Sequence, residues 1–417
     1  MTNLLKNLQW LRQIPILGDL LLSLLGGGGR EEKTRILAHV MPWYSTREDS
    51  GAWGWHWTMN RFSPETVKGG RREIASKFYP LIGPYDSRNK SVVEYHLLTM
   101  KLSGIDGIVI DWYGLSDLHD YPDIHRNSTL LVDMAEKIGL SVAICYEDRT
   151  ILELEKNGRL KKGREHHAAR EIKWLSKNWF SRKHYLRHKG KPLLLSFGVD
   201  NMSDKEWGRT LDMVDLEIAY VSQANLRKRA SGVFDWPVPS QGLAAQERFA
   251  KDNRDTPLAI PVAFPRFDDI YEQAGVHSSY GRIPDDGGRT FRKLVTKAIK
   301  NGRPFVQIAT WNDWGEGTSI EPSVEFNTRD LAAIQDIRRD FLDKKFPYTS
   351  KDLRLPLELF NLRKRGSVSS NDLNSVAALI AEGDLERASK QLKRLIEEGA
   401  GKSQLLEAFN QLEDSSD

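Results

Sequence analysis

The chain has 417 residues, of which 40% are apolar and 28% are charged, and this composition is typical of a globular protein. Its formal net charge of +4 is small for this length and argues against a dedicated nucleic-acid binder, which usually carries a concentrated basic face. The single cysteine, Cys145, excludes an internal disulfide and a cysteine-rich metal centre.

Residues 1–30 differ in composition from the rest of the chain. Basic residues precede an apolar run from Ile14 to Leu25, and four glycines follow it, which resembles a secretion leader. Asp19 interrupts this run, and its leucines equally fit an amphipathic helix. The run is too short to span a membrane, so membrane association is predicted only through this segment. If residues 1–30 are a leader, the protein is predicted to be secreted or periplasmic. If they are an amphipathic helix, a cytoplasmic location is predicted instead.

From residue 35 onward, short apolar strands alternate with helices. Eight strands are predicted, at 36–41, 105–112, 141–145, 192–197, 217–221, 232–236, 258–263 and 305–310. Helices are predicted between them, at 91–102, 127–138, 164–177, from 203, and at 242–250, 290–300 and 331–341. Eight such units predict an α/β protein with a (β/α)8 TIM barrel. An open doubly wound sheet is the alternative, although no Gly-rich phosphate loop follows a strand.

The predicted barrel is flanked by other segments. The predicted domains are an N-terminal leader or amphipathic segment, the barrel, a linker and a helical appendix, at 1–30, 31–345, 346–366 and 367–417. The linker is basic, contains Pro347 and Pro356, and shows no clear period. The appendix is predicted to form three helices. The first ends at Gly383, the second spans 385–396, and the third spans 403–412. So small a unit is expected to pack on the barrel or to bind a protein partner.

One loop concentrates residues that suit sugar chemistry. The segment 310–323, TWNDWGEGTSIEPS, follows the eighth predicted strand, and its glycines and proline predict an irregular loop. Indole faces can stack on sugars, and paired carboxylates supply the acid and base of glycosidic cleavage. Asp313 and Glu316 are therefore the predicted catalytic pair, with capping or ion pairing as the alternative. Glu321 is predicted to be structural.

Aromatic and charged residues also follow other strands, at the face where barrel active sites lie. Substrate contacts are predicted for six of them: Trp112, Glu147, Arg149, Arg266, Trp311 and Trp314. For the charged ones an ion pair is the alternative, and Asp111 is either a ligand contact or a supporting carboxylate. No two histidines stand at metal-ligand spacing, since the adjacent His166 and His167 point about 100° apart on a helix. No metal and no cofactor are predicted.

Five motifs, in order over residues 35–342, together resemble glycoside hydrolase family 99 and its relatives, including family 71. They are HVMPWY at 39–44, GWHWT at 54–58, GIDGIVIDWYG at 104–114, YED at 146–148 and WNDWGEGTSIEP at 311–322. The resemblance implies a (β/α)8 barrel and endo-acting cleavage of α-mannosides with retention. It also implies that Tyr44, His56, Trp57 and Glu147 bind substrate.

The resemblance assigns two catalytic roles in the loop. Asp313 would act as a base on the neighbouring 2-hydroxyl, through an epoxide-like intermediate, and Glu316 as general acid and then base. The family motif resembles W-N-E-W-H-E-G-T, so Asp313 stands here for glutamate and Gly315 for histidine. Aspartate is shorter by about 1 Å, and a misplacement of that size can cost roughly a hundredfold in rate.

Two functions from different classes therefore follow from the sequence. The first is an endo-acting glycoside hydrolase whose partner is an oligosaccharide or polysaccharide, with Glu316 as general acid/base assisted by Asp313. The second is a non-catalytic glycan-binding barrel linked to polysaccharide assembly or processing. Glycosyl transfer in the same pocket is a third option, and a nucleic-acid partner is predicted for none of them.

Overall fold

The computed structural model describes residues 33–256 and 258–413, with backbone alone for 400–413. The predicted leader or amphipathic segment at 1–30 lies outside the described residues. Within the described part of the chain, every helix is too short or too polar to cross a membrane.

Eight parallel strands form a closed barrel, which confirms the predicted fold class. They are β1 (Arg35–Val40), β2 (Gly107–Trp112), β3 (Ser141–Glu147), β4 (Lys191–Phe197), β5 (Ala219–Gln223), β6 (Gly232–Phe234), β7 (Leu258–Ile260 with Val262–Ala263) and β8 (Phe305–Ile308). Consecutive strands are neighbours, and β1 pairs with both β2 and β8, so the first and last strands meet.

The seventh strand closes the barrel in two halves separated by Pro261. Its first half, Leu258–Ile260, pairs with β6, and its second half, Val262–Ala263, pairs with β8. Proline has no backbone N–H to donate, but its carbonyl oxygen accepts the Gln307 N–H at 3.0 Å. The strand therefore bridges its two neighbours by using a different half for each.

The major helices surround the barrel. They are α1 (Lys90–Ser103), α2 (Tyr121–Ile138), α3 (Arg149–Lys156), α4 (Arg164–Asn178), α5 (Asp204–Asp212), α6 (Ala244–Asp252), α7 (Arg289–Lys300) and α8 (Arg329–Phe341). Local sequence sets several helix ends. The Asn89 side chain accepts the N–H groups of Ser91 and Val92 at the start of α1, and Gly104 ends that helix at φ 90°.

Short elements decorate the loops. Three helices of four residues each span Arg47–Ser50, Trp55–Thr58 and Tyr271–Ala274, and 3-10 turns span Pro239–Gln241 and Asp286–Gly288. Two hairpins join Val67–Lys68 to Arg71–Arg72 and Phe267–Asp268 to Arg282–Ile283, and Arg187–His188 pairs with β4. The first two short helices and the first hairpin lie in the long segment between β1 and α1. The other hairpin and the helix Tyr271–Ala274 lie between β7 and α7.

Alternation along the strands separates two cores. One set of strand residues packs with helix residues outside the sheet, and it includes Ile108, Ile110 and Trp112 of β2. The other set fills the barrel interior, with Leu37, Val109, Ala143, Cys145, Leu193, Leu195, Val221, Ile260 and Phe305 among its members. Continuing the inward series by two residues reaches His39, Asp111, Glu147 and Gln307. Polar side chains thus replace apolar ones towards the carboxyl ends of these strands.

Three more helices follow the barrel: α9 (Arg354–Arg365), α10 (Ser370–Glu382) and α11 (Leu385–Glu413). Helix α9 lies within the segment expected to be an irregular linker, and its Arg363 pairs with Glu94 of α1 at 2.6 Å. Helices α10 and α11 pack against α9, and α10 also contacts α1 and α2. The two helices predicted after residue 385 are one continuous helix.

Candidate active site

The loop after β8 holds Asp313 in a fixed position. The Asp313 N–H donates to Thr310 Oγ1 at 2.7 Å, and the Glu316 N–H donates to Asp313 Oδ1 at 2.9 Å. Burial raises the pKa of Asp313 to about 6, and the backbone N–H groups of Glu316 and Gly315 oppose that rise by hydrogen bonding to the carboxylate. Asp313 is therefore ionised at neutral pH.

Glu316 has a different environment. Its Oε2 atom is buried and has no hydrogen-bond partner among the described residues. Burial, followed by the charges of Asp313 and Asp269, raises the pKa of Glu316 well above its ordinary value. A protonated carboxyl group three residues from an ionised one is the division that acid and base roles require.

Asp111 and Glu147 bring two further carboxyl groups to the same end of the barrel. Burial and then the charge of Asp313 raise the pKa of Asp111 to about 8. Burial, Asp111 and Asp148 raise the pKa of Glu147 well above its ordinary value. Both side chains occupy inward positions of their strands, so the structure brings the predicted contact Glu147 together with Asp111. The alternation of β2 is the sequence signal that singles out Asp111 over Trp112.

Tyr271 also belongs to this group, and sequence reasoning missed it. Burial, then Asp313 and Glu316, raise the pKa of its hydroxyl well above the ordinary range. A Cβ atom added at Gly315 would lie 3.8 Å from the Tyr271 hydroxyl and 2.9 Å from Met59 Cε. The methionine methyl group therefore fills the space in which a side chain at position 315 would begin.

The Asp111 carboxyl group also lies close to two other buried donor residues, His39 and Cys145. Ligand atoms of His39, Asp111 and Cys145 are all within 4.8 Å of one another, a donor set that suits Zn²⁺. Burial lowers the pKa of His39 to about 3, and burial with nearby carboxylates raises the pKa of the Cys145 thiol. A metal ion here would have to displace protons from Asp111 and Cys145. The expectation of no metal and no cofactor stays a prediction.

His56 lines a cavity that also borders the loop after β2. Its ring stacks on Trp43 with centroids 4.0 Å apart and planes 5° apart, and burial lowers the pKa of the imidazole to about 3. A cavity of about 550 Å³ adjoins the pair and is also lined by Trp55, Tyr113 and Asp120. The predicted contact His56 is therefore neutral and lies at an aromatic surface.

Several predicted contacts are instead buried in the packing beneath the loop. Tyr44 and Trp57 are 1% and 0% exposed, with ring centroids 4.1 Å apart. The Tyr44 hydroxyl donates to the Asn312 carbonyl at 2.8 Å and accepts the Trp314 N–H at 3.1 Å. Both side chains thus support the loop and are almost fully buried in this structure, and their contact with substrate stays a prediction.

The three predicted tryptophan contacts at strand ends are buried as well, and their contact with substrate stays a prediction. Trp112, Trp311 and Trp314 are 0% exposed. Trp112 points outward from β2 and packs near Trp174 and Trp179 on α4 and just after it. Trp311 and Trp314 belong to apolar clusters on either side of the loop backbone. Proximity to a strand end in sequence did not mean exposure at the barrel mouth.

Arg266 is also buried, and it makes ion pairs of the kind that its alternative interpretation anticipated. It is 2% exposed, donates to Asp330 Oδ2 at 2.6 Å and to the Ser319 carbonyl at 2.9 Å, and lies 3.4 Å from Asp285. Its guanidinium also lies over the Phe326 ring at 3.6 Å. Arg266 therefore ties the loop after β8 to α8 and leaves no surface for a sugar.

Arg149 and Glu321 complete the predicted set. Arg149 is exposed, and its backbone N–H donates to Glu147 Oε1 at 3.3 Å, so it lies beside Glu147 at the first turn of α3. Glu321 accepts the Tyr85 hydroxyl at 2.6 Å and lies 3.0 Å from His96 Nε2. These bonds agree with a structural role for Glu321.

Comparisons with known proteins find relatives in one family. A family model described as glycosyl hydrolase family 99 matches residues 35–218. The glycoprotein endo-alpha-1,2-mannosidase of Mus musculus is 30% identical over 336 residues, covering 70% of this chain and 68% of the mouse protein. The endo-alpha-1,2-mannosidase-like protein of Danio rerio is 24% identical over 291 residues, 61% of each chain. The chain spans about three fifths of the length of the endo-mannosidase-like relatives.

Solved structures give the same fold. The GH99 endo-alpha-mannosidase of Bacteroides thetaiotaomicron superposes with a TM-score of 0.58 at 18% identity, covering 77% of this chain and 98% of that one. A glycoside hydrolase-like protein superposes with a TM-score of 0.51 at 14% identity, covering 74% and 94%. At these identities the likeness shows a shared barrel and does not extend to the chemistry.

Proposed function

Because this chain belongs to glycoside hydrolase family 99, we propose that it is an endo-acting hydrolase that cleaves α-mannoside linkages within a glycan or polysaccharide. The observation that carries the proposal is the unequal pair of carboxyl groups in the loop after β8. Asp313 is held ionised by two backbone N–H groups, whereas Glu316 has an unpartnered oxygen and a raised pKa.

The two groups suit opposite halves of one reaction. In the first step, Asp313 takes the proton of the sugar 2-hydroxyl while O2 forms a bond to C1. Glu316 gives its proton to the glycosidic oxygen, whose bond to C1 breaks. In the second step, Glu316 takes a proton from a water molecule that attacks C1, and Asp313 returns its proton to O2 as the C1–O2 bond breaks. Both groups end in their starting protonation states.

The surroundings support a neutral sugar as the reacting group. Asp111, Glu147 and Glu316 all have raised pKa values, so Asp313 carries most of the charge at neutral pH. Carboxyl groups that keep their protons can donate hydrogen bonds to sugar hydroxyls as well as accept them. The stacked rings of His56 and Trp43 offer an apolar face in the cavity that Tyr113 also lines, and the charges of Asp111 and Glu147 act on Tyr113.

Product analysis tests this function. The protein is incubated with α-mannans, with a β-linked glucan as a matched neutral control, and released oligosaccharides are identified by mass spectrometry. We expect internal fragments from the α-mannan alone. Saturable binding of the mannan with no fragment released would overturn the hydrolase proposal in favour of a non-catalytic glycan-binding barrel. New, longer products with added sugar acceptors would identify transfer.

A further inference from the structure

A second cavity at the same face of the barrel is lined by basic side chains. It has a volume of about 480 Å³ and lies between the loop after β2 and the connection from α3 to α4. Its cationic lining consists of Arg159, Lys161, Lys162 and Arg170. The only acidic lining residue is Asp117, whose side chain is 93% exposed and whose nearer oxygen is 4.0 Å from Arg159.

The positive charge of this basic cavity is largely uncompensated. Lys161, Lys162 and Arg170 have no ion-pair partner among the described residues, although ion pairs are frequent elsewhere on the surface. A run of basic residues is ordinarily a solvated face on which each charge is spread into water. Here four cations converge on one concavity, where their fields add and attract an anion.

Buried groups beneath the cavity hold Arg170 in place. The guanidinium lies 2.9 Å from His167 Nδ1, and His167 Nε2 lies 3.1 Å from Glu171 Oε1. Because a guanidinium only donates, Nδ1 accepts from Arg170, which leaves the Nε2 proton to be donated to Glu171. His167 and Glu171 are 7% and 1% exposed, so these two hydrogen-bonded side chains are held in fixed positions. Arg170 keeps further N–H donors for a ligand.

The same series of contacts, Arg170–His167–Glu171, connects the basic cavity with the candidate active site. Glu171 accepts the Leu115 N–H at 2.9 Å and fixes the loop after β2. On one side of this loop, Tyr113 is close enough to Asp111 and Glu147 for their charges to raise the pKa of its hydroxyl, which burial raises first. On the other side, Ser116 and Asp117 line the basic cavity. A glycan crossing this loop would meet both sites.

We propose that the basic cavity binds an anionic substituent of the glycan, such as a phosphate, sulfate or uronate group, while the neutral linkage to be cleaved lies at Asp313 and Glu316. This inference rests on the proposed function, because it places the anion on the hydrolase substrate. The ionised Asp313 repels an anion, and the basic cavity attracts one. The charge of the glycan therefore sets which stretch of it occupies the cleavage site.

Binding of inorganic phosphate tests the cavity without any turnover. The double variant Lys161→Ala/Lys162→Ala removes two exposed side chains, so the fold is expected to be unaffected. Calorimetric titration of the full chain should show saturable binding that is about tenfold weaker in this variant. The matched control is Lys344→Ala/Lys345→Ala, an adjacent exposed pair after α8. Absent binding in the wild type, or equal losses in both variants, would overturn the inference.

Hydrolysis then separates a glycan-borne anion from a free one. A phosphate-substituted α-mannan oligosaccharide is compared with its enzymatically dephosphorylated form. We expect a KM about fivefold lower for the phosphorylated form in the wild type, no preference in Lys161→Ala/Lys162→Ala, and an unchanged kcat. Cleavage of both forms with equal KM would overturn the inference and leave the hydrolase intact. Phosphate binding without cleavage of either form would instead overturn the hydrolase, and with it the assignment of the anion to its substrate.

Discussion

Two groups of charged residues involve the loop after β8: one contains Asp313 and Glu316 of that loop, and the other holds the loop through the bond from Arg266 to the Ser319 carbonyl. The carboxylate cluster consists of Asp111, Glu147, Asp313 and Glu316, and the Arg266 cluster consists of Arg266, Asp285, Arg329 and Asp330. Both are at least partly withdrawn from water, and Arg266 and the four residues of the carboxylate cluster were candidates for substrate contact or catalysis by sequence. In the Arg266 cluster every carboxylate has a guanidinium partner within 3.4 Å. In the carboxylate cluster, Arg149 is the cation nearby, and it is exposed.

The presence or absence of buried cations decides what each cluster can do. Paired charges are satisfied in place, so the Arg266 cluster fixes the loop and has no reason to exchange protons. Unpaired carboxyl groups in the carboxylate cluster respond to burial by raised pKa values, which brings their proton exchange into the neutral range. Similar residue types at similar depth therefore give a support on one side and a candidate catalytic centre on the other.

Removing the Glu316 proton should have the largest effect on activity. Glu316→Gln keeps the shape of the side chain but removes the transferable proton. We expect kcat on α-mannan oligosaccharides to fall by about 10²–10⁴-fold, the usual contribution of general acid catalysis. Stability in urea should change little, because no described hydrogen bond to Oε2 is lost. Glu272→Gln, an exposed neighbour, is the control, and equal activity of the two variants would remove Glu316 from the mechanism.

Breaking the Arg266 cluster should affect stability first. Arg266→Ala leaves Asp330 buried with one remaining partner and frees the Ser319 carbonyl. The free energy of unfolding in urea should fall by about 3–5 kcal/mol. The control is Arg282→Ala, whose side chain is 72% exposed and pairs with Asp268, and a loss below about 1 kcal/mol is expected. Similar losses for the two variants would show that the Arg266 cluster does not hold the loop.

The carboxylate cluster should also give activity a distinctive pH dependence. Asp313 must be ionised, so activity should rise with pH through about 6, the value to which burial raises the pKa of Asp313. Glu316 must be protonated, and burial, followed by the charges of Asp313 and Asp269, favours its protonated form by raising its pKa well above the ordinary value. At pH 5, kcat/KM should be about tenfold below its plateau. Asp313→Asn should abolish activity, and the rise of kcat/KM with pH should disappear with it. The control Glu272→Gln should keep both the activity and that rise.

The smallest effect is expected at Gly315, beside the carboxylate cluster. A Cβ atom there would meet the flexible end of Met59 at 2.9 Å, so Gly315→Ala should cost less than about 1 kcal/mol of stability. Gly114→Ala is the contrasting variant, because Gly114 has φ 90° and its added Cβ would lie 2.4 Å from Glu171 Oε2. We expect it to cost more than about 1 kcal/mol in urea unfolding. The reverse order would mean that Met59 cannot move aside.

Hydrophobic patterning was enough to predict the eight strands and the barrel, because each strand is an apolar run bounded by breakers. It also singled out Asp313 and Glu316 as candidates, since they share one short loop, and their roles stay predictions. The two-residue period of β2 separates the outward Trp112 from the inward Asp111, a distinction that the choice of Trp112 as a substrate contact did not use. The partners of Arg266 lie 19 and 64 residues away, and no local pattern contains such pairings.

Helix α9 shows a different limit of sequence reasoning. Pro356 argued for an irregular linker, but it lies in the first turn of Arg354–Arg365, where its missing N–H would have had no intrahelical partner. The helix is also held by a distant residue, Glu94. A proline is compatible with a helix at this position, so Pro356 does not by itself predict a linker. The contact with Glu94 joins residues that are far apart in the sequence, and no local pattern contains it.

The split seventh strand affects where the barrel opens locally. Each half of β7 is bonded to one neighbour only, over three residue pairs with β6 and two with β8, whereas β2 and β3 pair over six. Amide hydrogens of residues 258–263 should therefore exchange with deuterium sooner than those of β2 and β3. The loops that carry Arg266 and Asp313 leave the barrel from the two strands that meet at this seam. Opening of the β7–β8 pairing would therefore separate the Arg266 cluster from the carboxylate cluster. The shortest strand pairing of the barrel thus lies beneath the candidate active site.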